Sequence, residues 1–205
     1  MKRGFTLVEM LVVIGIIGIL IAAASSSYVG IIRKAQGARA QELVHNVQTA
    51  LEAALQKDDA WPVAVLAEGK GGNGEVNAEV GAALARRGLM SLTYRTQEIN
   101  GETKYILSGL DRYGVLSPWA QDVVKRRLTS GGVSDSTPVP QGGTIKSHRL
   151  RFAVDPEYLG KTQVSPENGK AVTVRAMCCV WCAGYDGVFG TEDDVKSWNA
   201  RQEEH

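Results

Sequence analysis

Residues 10–32 contain no charged side chain. As a helix, these 23 residues would rise about 35 Å, enough to cross the hydrocarbon core of a bilayer. A short leader carrying Lys2 and Arg3 precedes the run, so the pattern predicts a membrane-spanning helix close to the N-terminus. Beyond it the apolar positions thin to a helical period. Ala40, Leu43, Val47, Leu51 and Ala54 fall on one face, and Glu42, His45, Thr49, Glu52 and Gln56 on the other. The helix therefore continues as an amphipathic one whose stripe needs a partner layer, and Asp58, Asp59 and Pro62 mark its end.

The period then changes. Leu92, Tyr94 and Thr96, an Asn100-Gly101 turn signal, and Tyr105 and Leu107 predict a β-hairpin. A second hairpin is predicted where Leu150, Phe152 and Val154 precede Asn168-Gly169 and a long alternating run over 172–181. Val80 and Leu84 suggest a short helix over 78–87. The glycine-rich stretch 68–75 lacks the residue order of a phosphate-binding loop and reads as a flexible connection, and 129–144, rich in Ser, Gly and Pro, reads as a long loop. One long helix followed by short strands predicts an α+β fold with a small antiparallel sheet.

Composition narrows the function classes. Lys and Arg number 23 against 22 Asp and Glu, a net charge of +1, so no nucleic-acid partner is expected. Hydrophobic residues at 44% and charged residues at 22% suit a folded domain and exclude a polytopic membrane protein. Cys178, Cys179 and Cys182 are too clustered for a disulfide framework. Cys179 and Cys182 have the spacing of half a zinc or redox site, but no second half follows, and strand alternation sets them on opposite faces, so buried apolar roles are expected. The three His are scattered and no nucleophile elbow is present. No enzyme is expected.

Two places carry unusual chemistry. Glu9 stands at the head of the apolar run, where a carboxylate costs about 2 kcal/mol or more to insert. A cleaved signal peptide has no use for it, whereas a partner charge would explain it. The second place is the loop 184–198, GYDGVFGTEDDVKSW, where Asp186, Glu192, Asp193 and Asp194 lie within nine residues. Gly187 and Gly190 permit tight turns there, and hard oxygens suit calcium, although the spacing is not that of an EF-hand. A solvated acidic turn is the alternative.

Gly4, Phe5, Thr6, Leu7, Val8 and Glu9, read as GFTLVE between a basic leader and an apolar helix, resemble the processing motif of type IV pilins and type II secretion pseudopilins. The loop's Asp-Gly, later Gly, Asp pair and Ser-Trp are similar to the calcium loop of major pseudopilins. The resemblance implies a pilin-like fold and cleavage by prepilin peptidase after Gly4 with methylation of Phe5. It also implies a Glu9 that neutralises a neighbour's Phe5 amine during assembly, and calcium on Asp186, Asp193 and Asp194 with Glu192 as a further candidate. The implied organisation is a leader over 1–4, a transmembrane and assembly helix over 5–32, and a periplasmic α+β domain over 33–205. The N-terminus would be cytoplasmic in a single pass of the bacterial inner membrane. Implied partners are further copies in a helical fibre that helps to export folded proteins, other pseudopilins, and inner-membrane assembly proteins. The region 110–148 is longer than such a subunit leads one to expect. A type IV pilin or minor pilin shares the motif, and a secreted calcium-stabilised binding module, released near Ala24, is a further alternative.

Overall fold

The computed structural model describes residues 7–99, 102–128, 132–165, 171–199 and 201–204, without the side chains of 22–27, 99 and 102. Gly4 and Phe5 lie outside the described residues. The chain divides into two compact units, Met1–Gln36 and Gly37–His205.

Helix α1 (Leu7–Asp58) supplies the first unit and opens the second. In the first unit its apolar side chains are exposed all round, Leu7 by 81% and Ile19 by 71%. Such a helix has no stable place in water and calls for lipid or other helices around it. A Cβ added at Gly15 or Gly18 would meet nothing within 4 Å. Among the described residues no helix is long and apolar enough to cross a membrane; the predicted 10–32 span includes 22–27, whose side chains are not described.

In the second unit the predicted stripe is buried on Ala40, Val47, Leu51 and Ala54, with Val44 and Ala50 added and Leu43 at its margin. It packs on one face of a four-stranded antiparallel sheet ordered β1 (Gly74–Glu75), β4 (Arg151–Val154), β7 (Cys178–Cys182) and β8 (Val195–Lys196). Phe152, Val154, Cys178, Val180 and Cys182 meet α1, while Ala153, Cys179 and Trp181 join a second core with Val164, Val174 and Phe189. Burial on both faces explains the unbroken apolar run CCVWC. A second sheet joins β5 (Thr162–Val164), β6 (Val172–Val174) and β9 (Glu203–Glu204). The fold is thus α+β, a long N-terminal helix on small antiparallel sheets. Trp61 closes α1 against the sheet by donating its indole N–H to the Asp155 carbonyl at 2.8 Å.

Helix α3 (Ala78–Arg86) forms where expected, capped by Asn77, whose side chain accepts from the Glu79 and Val80 amides. Strands β2 (Tyr94–Ile99) and β3 (Glu102–Leu107) form the first hairpin as a separate ribbon; Asn100 and Gly101 lie outside the described residues.

The second hairpin differs from expectation. The run 172–181 is two strands, because the chain bends at 175–177, where the Ala176 amide donates back to the Val174 carbonyl. β6 then pairs with β5, and β7 pairs with β4; Asn168 and Gly169 lie outside the described residues. The stretch 68–75 is also no flexible connection. It completes α2 (Val63–Gly69) and forms β1, and its glycines serve close packing. A Cβ at Gly69 would lie 2.5 Å from the Phe152 ring, and one at Gly74 would lie 2.5 Å from the Glu68 carbonyl.

The unexpected length of 110–148 is structured as well. Helix α4 (Pro118–Leu128) buries Trp119, Ala120, Val123 and Val124, with Pro118 at a position where its missing N–H costs nothing. Val139 and Ile145 pack on α4. Arg149 fastens this region to β1 through Glu75 and reaches Asp135 at 2.8 Å and the Tyr113 carbonyl at 2.7 Å, while Arg151 meets the same Glu75 at 3.0 Å.

Candidate functional site

Strand β7 delivers the chain into the 184–198 loop, and β8 returns it through the Trp181–Lys196 and Cys182–Val195 pairs. Trp198 lies edge-on to Trp181 at 5.7 Å, and Phe189 is buried in the second core under the Arg151 guanidinium, 5.3 Å from its ring centre. These aromatic anchors hold the loop at both flanks and in the middle.

Inside the loop the aspartates bind main-chain donors. Asp186 accepts from the Val188 amide at 2.8 Å, and Asp194 accepts from the Gly190 amide at 2.8 Å through Oδ2. Asp193 accepts from the Asp186 amide at 3.2 Å and from the Thr191 hydroxyl at 2.6 Å. Gly184 is required by this arrangement, since its Cβ would fall 2.3 Å from the Asp193 carboxyl carbon. Glu192 is exposed and makes none of these bonds.

The carboxyls differ in electrostatics. Burial acts to raise the Asp193 pKa, but the Thr191 hydroxyl and the Asp186 and Tyr185 amides outweigh it and hold it below the usual value. Burial wins at Asp194 against the Gly190 amide and Lys196, so its pKa is raised. Asp194 Oδ1 is buried with no hydrogen-bond partner. The loop's own amides thus satisfy Asp186 and Asp193 and leave one costly oxygen. Among the described residues, no three His, Cys, Asp or Glu side chains gather into a metal-binding group. Calcium binding by carboxylates alone finds no cluster among the described residues, and among the loop's described aspartates Asp194 presents a buried, unanswered oxygen of the kind a hard cation takes.

The loop rests on the 110–148 region, a relationship the sequence did not signal. A Cβ at Gly142 would lie 2.1 Å from the Asp186 carbonyl oxygen, and one at Gly187 would lie 2.6 Å from His148 Nε2. His148 is fully buried. Its Nε2 lies 2.9 Å from the Gly142 carbonyl, which can only accept, so Nε2 carries the hydrogen and Nδ1 accepts from the Ser117 hydroxyl at 2.9 Å. Burial lowers the His148 pKa, opposed by the Gly142 carbonyl and by the charges of Asp186 and Asp193. A Gly-Gly pair ahead of a lone His was the only hint in the sequence.

The three cysteines are free and buried. Cys178 and Cys182 face the α1 core and Cys179 the other, as alternation predicted.

At the other end of the chain, Glu9 lies in the first turns of α1 and is exposed. Residues 1–25 match the family model described as the prokaryotic N-terminal methylation motif. A fimbrial protein of Neisseria meningitidis serogroup A / serotype 4A is 27% identical over 105 residues, which is 51% of this chain and 62% of that protein. Motif and relative together indicate a type IV pilin-like protein. The chain spans about 62% of the length of the curated relative it matches, and no solved structure matches it. Pilin-like proteins are structural subunits and not enzymes.

Proposed function

We propose that the chain is a structural subunit of a type II secretion pseudopilus, cleaved after Gly4, methylated on Phe5, and assembled into a periplasmic helical fibre that helps to export folded proteins. Residues 5–32 anchor it in the inner membrane in a single pass with the N-terminus cytoplasmic, and 33–205 form the periplasmic domain. The observation that carries the pseudopilus reading is the C-terminal region, in which Cys178, Cys179 and Cys182 are free and buried. Aromatic anchors and aspartates fasten that loop without a disulfide. Calcium would serve there as a structural ion, held by Asp194 with Asp186, Asp193 and loop carbonyls, and with Glu192 as a further ligand. It would supply the positive charge that Asp194 Oδ1 lacks.

Glu9 in this reading meets the Phe5 amine of a neighbouring subunit. A buried pair of that kind adds little net stability, but leaving one member unpaired is costly, so the pair sets the register between subunits. Other pseudopilins and inner-membrane assembly proteins would share the fibre base.

The fimbrial relative favours a second reading, a type IV pilin or minor pilin. Removing the chain from its host separates the two. Folded exoproteins held back in the periplasm support the pseudopilus, and loss of surface fibres with normal export supports the pilin. The mature N-terminal mass tests what both share: an N-methylated Phe5 is expected, and an uncut Met1 overturns both.

A further inference from the structure

The last turn of α4 differs in chemistry from the rest of that helix. Trp119, Val123 and Val124 are buried, whereas Lys125, Arg126 and Arg127 are consecutive and exposed, followed by Leu128 at 36% exposure. Arg39 of α1 lines the same hollow of about 260 Å³ as Lys125, together with Glu42 and Asp122. Within the hollow Arg39 and Lys125 balance Glu42 and Asp122, and the exposed Arg126 and Arg127 add positive charge on the same turn, Arg126 donating to the main-chain carbonyl of Asp122.

Place in the chain gives this patch its partner. Arg39 follows Ile32, the end of the uncharged run, by seven residues, which reach at most about 25 Å in any conformation. A chain anchored through 10–32 therefore keeps Arg39, and the Lys125 that shares its hollow, within range of the membrane surface. Tethering of this kind raises the effective concentration of that surface, so that weak contacts suffice.

We propose that the basic last turn of α4, with Arg39, docks on the anionic headgroups of phospholipids. This rests on the membrane anchoring proposed above. Each cation brought to an anionic surface strengthens binding about fivefold, and Leu128 beside them suits the boundary between headgroups and acyl chains. The contact would hold the domain against the membrane before assembly and let go when the subunit leaves the lipid.

The test reconstitutes the full chain into phosphatidylcholine vesicles with or without phosphatidylglycerol and follows amide hydrogen exchange over 118–128, with the β2 and β3 ribbon as internal reference. Exchange in α4 is expected to slow at least about fivefold with phosphatidylglycerol. The slowing should vanish in concentrated salt, where screening is short-ranged, and in the Lys125→Gln, Arg126→Gln, Arg127→Gln variant. Equal exchange in both lipids overturns the proposal. So does protection that appears in detergent micelles without lipid and grows with protein concentration, which would assign the patch to an acidic surface of a second copy. Alkaline extraction of the same vesicles tests the anchor separately: a chain that stays in the membrane without phosphatidylglycerol-dependent protection loses only the headgroup contact. A chain that is extracted yet protected loses only the anchor, and the headgroup contact stands.

Discussion

Gly142 meets the main chain of Asp186 with no room between them: a Cβ at 142 would stand 2.1 Å from the Asp186 carbonyl oxygen, and Gly142 has a φ of 146°. Gly142→Ala therefore has to move either the 132–150 segment or the acidic loop, because backbone cannot yield as a side-chain end can. A loss of about 2 kcal/mol or more is expected in urea unfolding. Gly88, with a φ of 71° and nothing within 4 Å of an added Cβ, provides the comparison, since Gly88→Ala carries only the backbone strain of about 1 kcal/mol. Equal losses for the two variants would show that the 142–186 contact is not tight in solution.

His148 gives the domain an acid sensitivity. Its folded pKa lies below the unfolded value because burial disfavours the imidazolium more than Gly142, Asp186 and Asp193 favour it. Its contribution to stability is complete above the unfolded pKa, about 6.5, and is lost as pH falls through the folded pKa. Urea stability should fall on acidification below that point, with a slope from this group of no more than about 1.4 kcal/mol per pH unit. His148→Gln should be less stable near neutrality but flatter across this window. Parallel profiles for parent and variant would remove His148 as the cause.

How much of this was legible in the sequence follows from the range of the forces involved. The 3.6 period of Ala40, Val47, Leu51 and Ala54 and the Val80 and Leu84 repeat of the helix expected over 78–87 are local patterns, and the stripe and helix α3 (Ala78–Arg86) form there. Partner choice is not local. Phe152 pairs with Val180, since a bend at 175–177 lets one run serve two sheets, and no period reports a bend. Glycines 69, 74 and 142 carried the signal of looseness and in fact mark close packing. Trp119, Val123 and Val124 have helical spacing, but the helix is short and the Ser, Gly and Pro that follow carry a loop signal. In the loop, composition pointed to Asp186, Asp193 and Asp194, while His148 and Ser117 lie far off in sequence and became neighbours only through the fold.

The cysteines should be inert in the native protein. Burial pushes Cys179 and Cys182 up to about 12 and Cys178 higher still, so the reactive thiolate is scarce at neutral pH. Alkylation under native conditions should label none of the three within the time that modifies all of them in denaturant, and the intact mass should show three thiols. Resistance to alkylation in denaturant would reveal a disulfide, and with it the pilin reading would gain ground.

Glu9→Ala should insert as well as the parent or better, since it loses a carboxylate that is expensive in lipid, but should assemble poorly because a neighbour's Phe5 amine loses its counter-charge. Crosslinking in membranes separates the two steps. Multimers as abundant as those of the parent would end the register role assigned to Glu9. Replacing Gly4 by a bulky residue should act one step earlier and leave an uncleaved precursor.

Calcium would act on the same loop through Asp194. Without the ion, burial raises the pKa of this carboxyl and leaves Oδ1 unsatisfied, so the ionised form is a cost to the fold near neutral pH. With the ion, that oxygen becomes a ligand. The full chain in detergent should therefore melt higher with calcium than with chelator, the gain being about 2.7 kcal/mol at about a hundredfold excess over the dissociation constant. Magnesium should do less, because it holds its water and demands rigid geometry. Asp194→Asn should have opposite effects in the two conditions: in chelator it relieves a buried charge and should hold or raise the melting temperature, while in calcium it removes the principal ligand and should abolish the shift. Asp193→Ala should lower stability in both, since Asp193 also binds the Asp186 amide and the Thr191 hydroxyl. Identical melting of the parent with calcium and with chelator would make the loop a solvated acidic turn, fastened by its aspartate hydrogen bonds and by Phe189 and Trp198 without an ion.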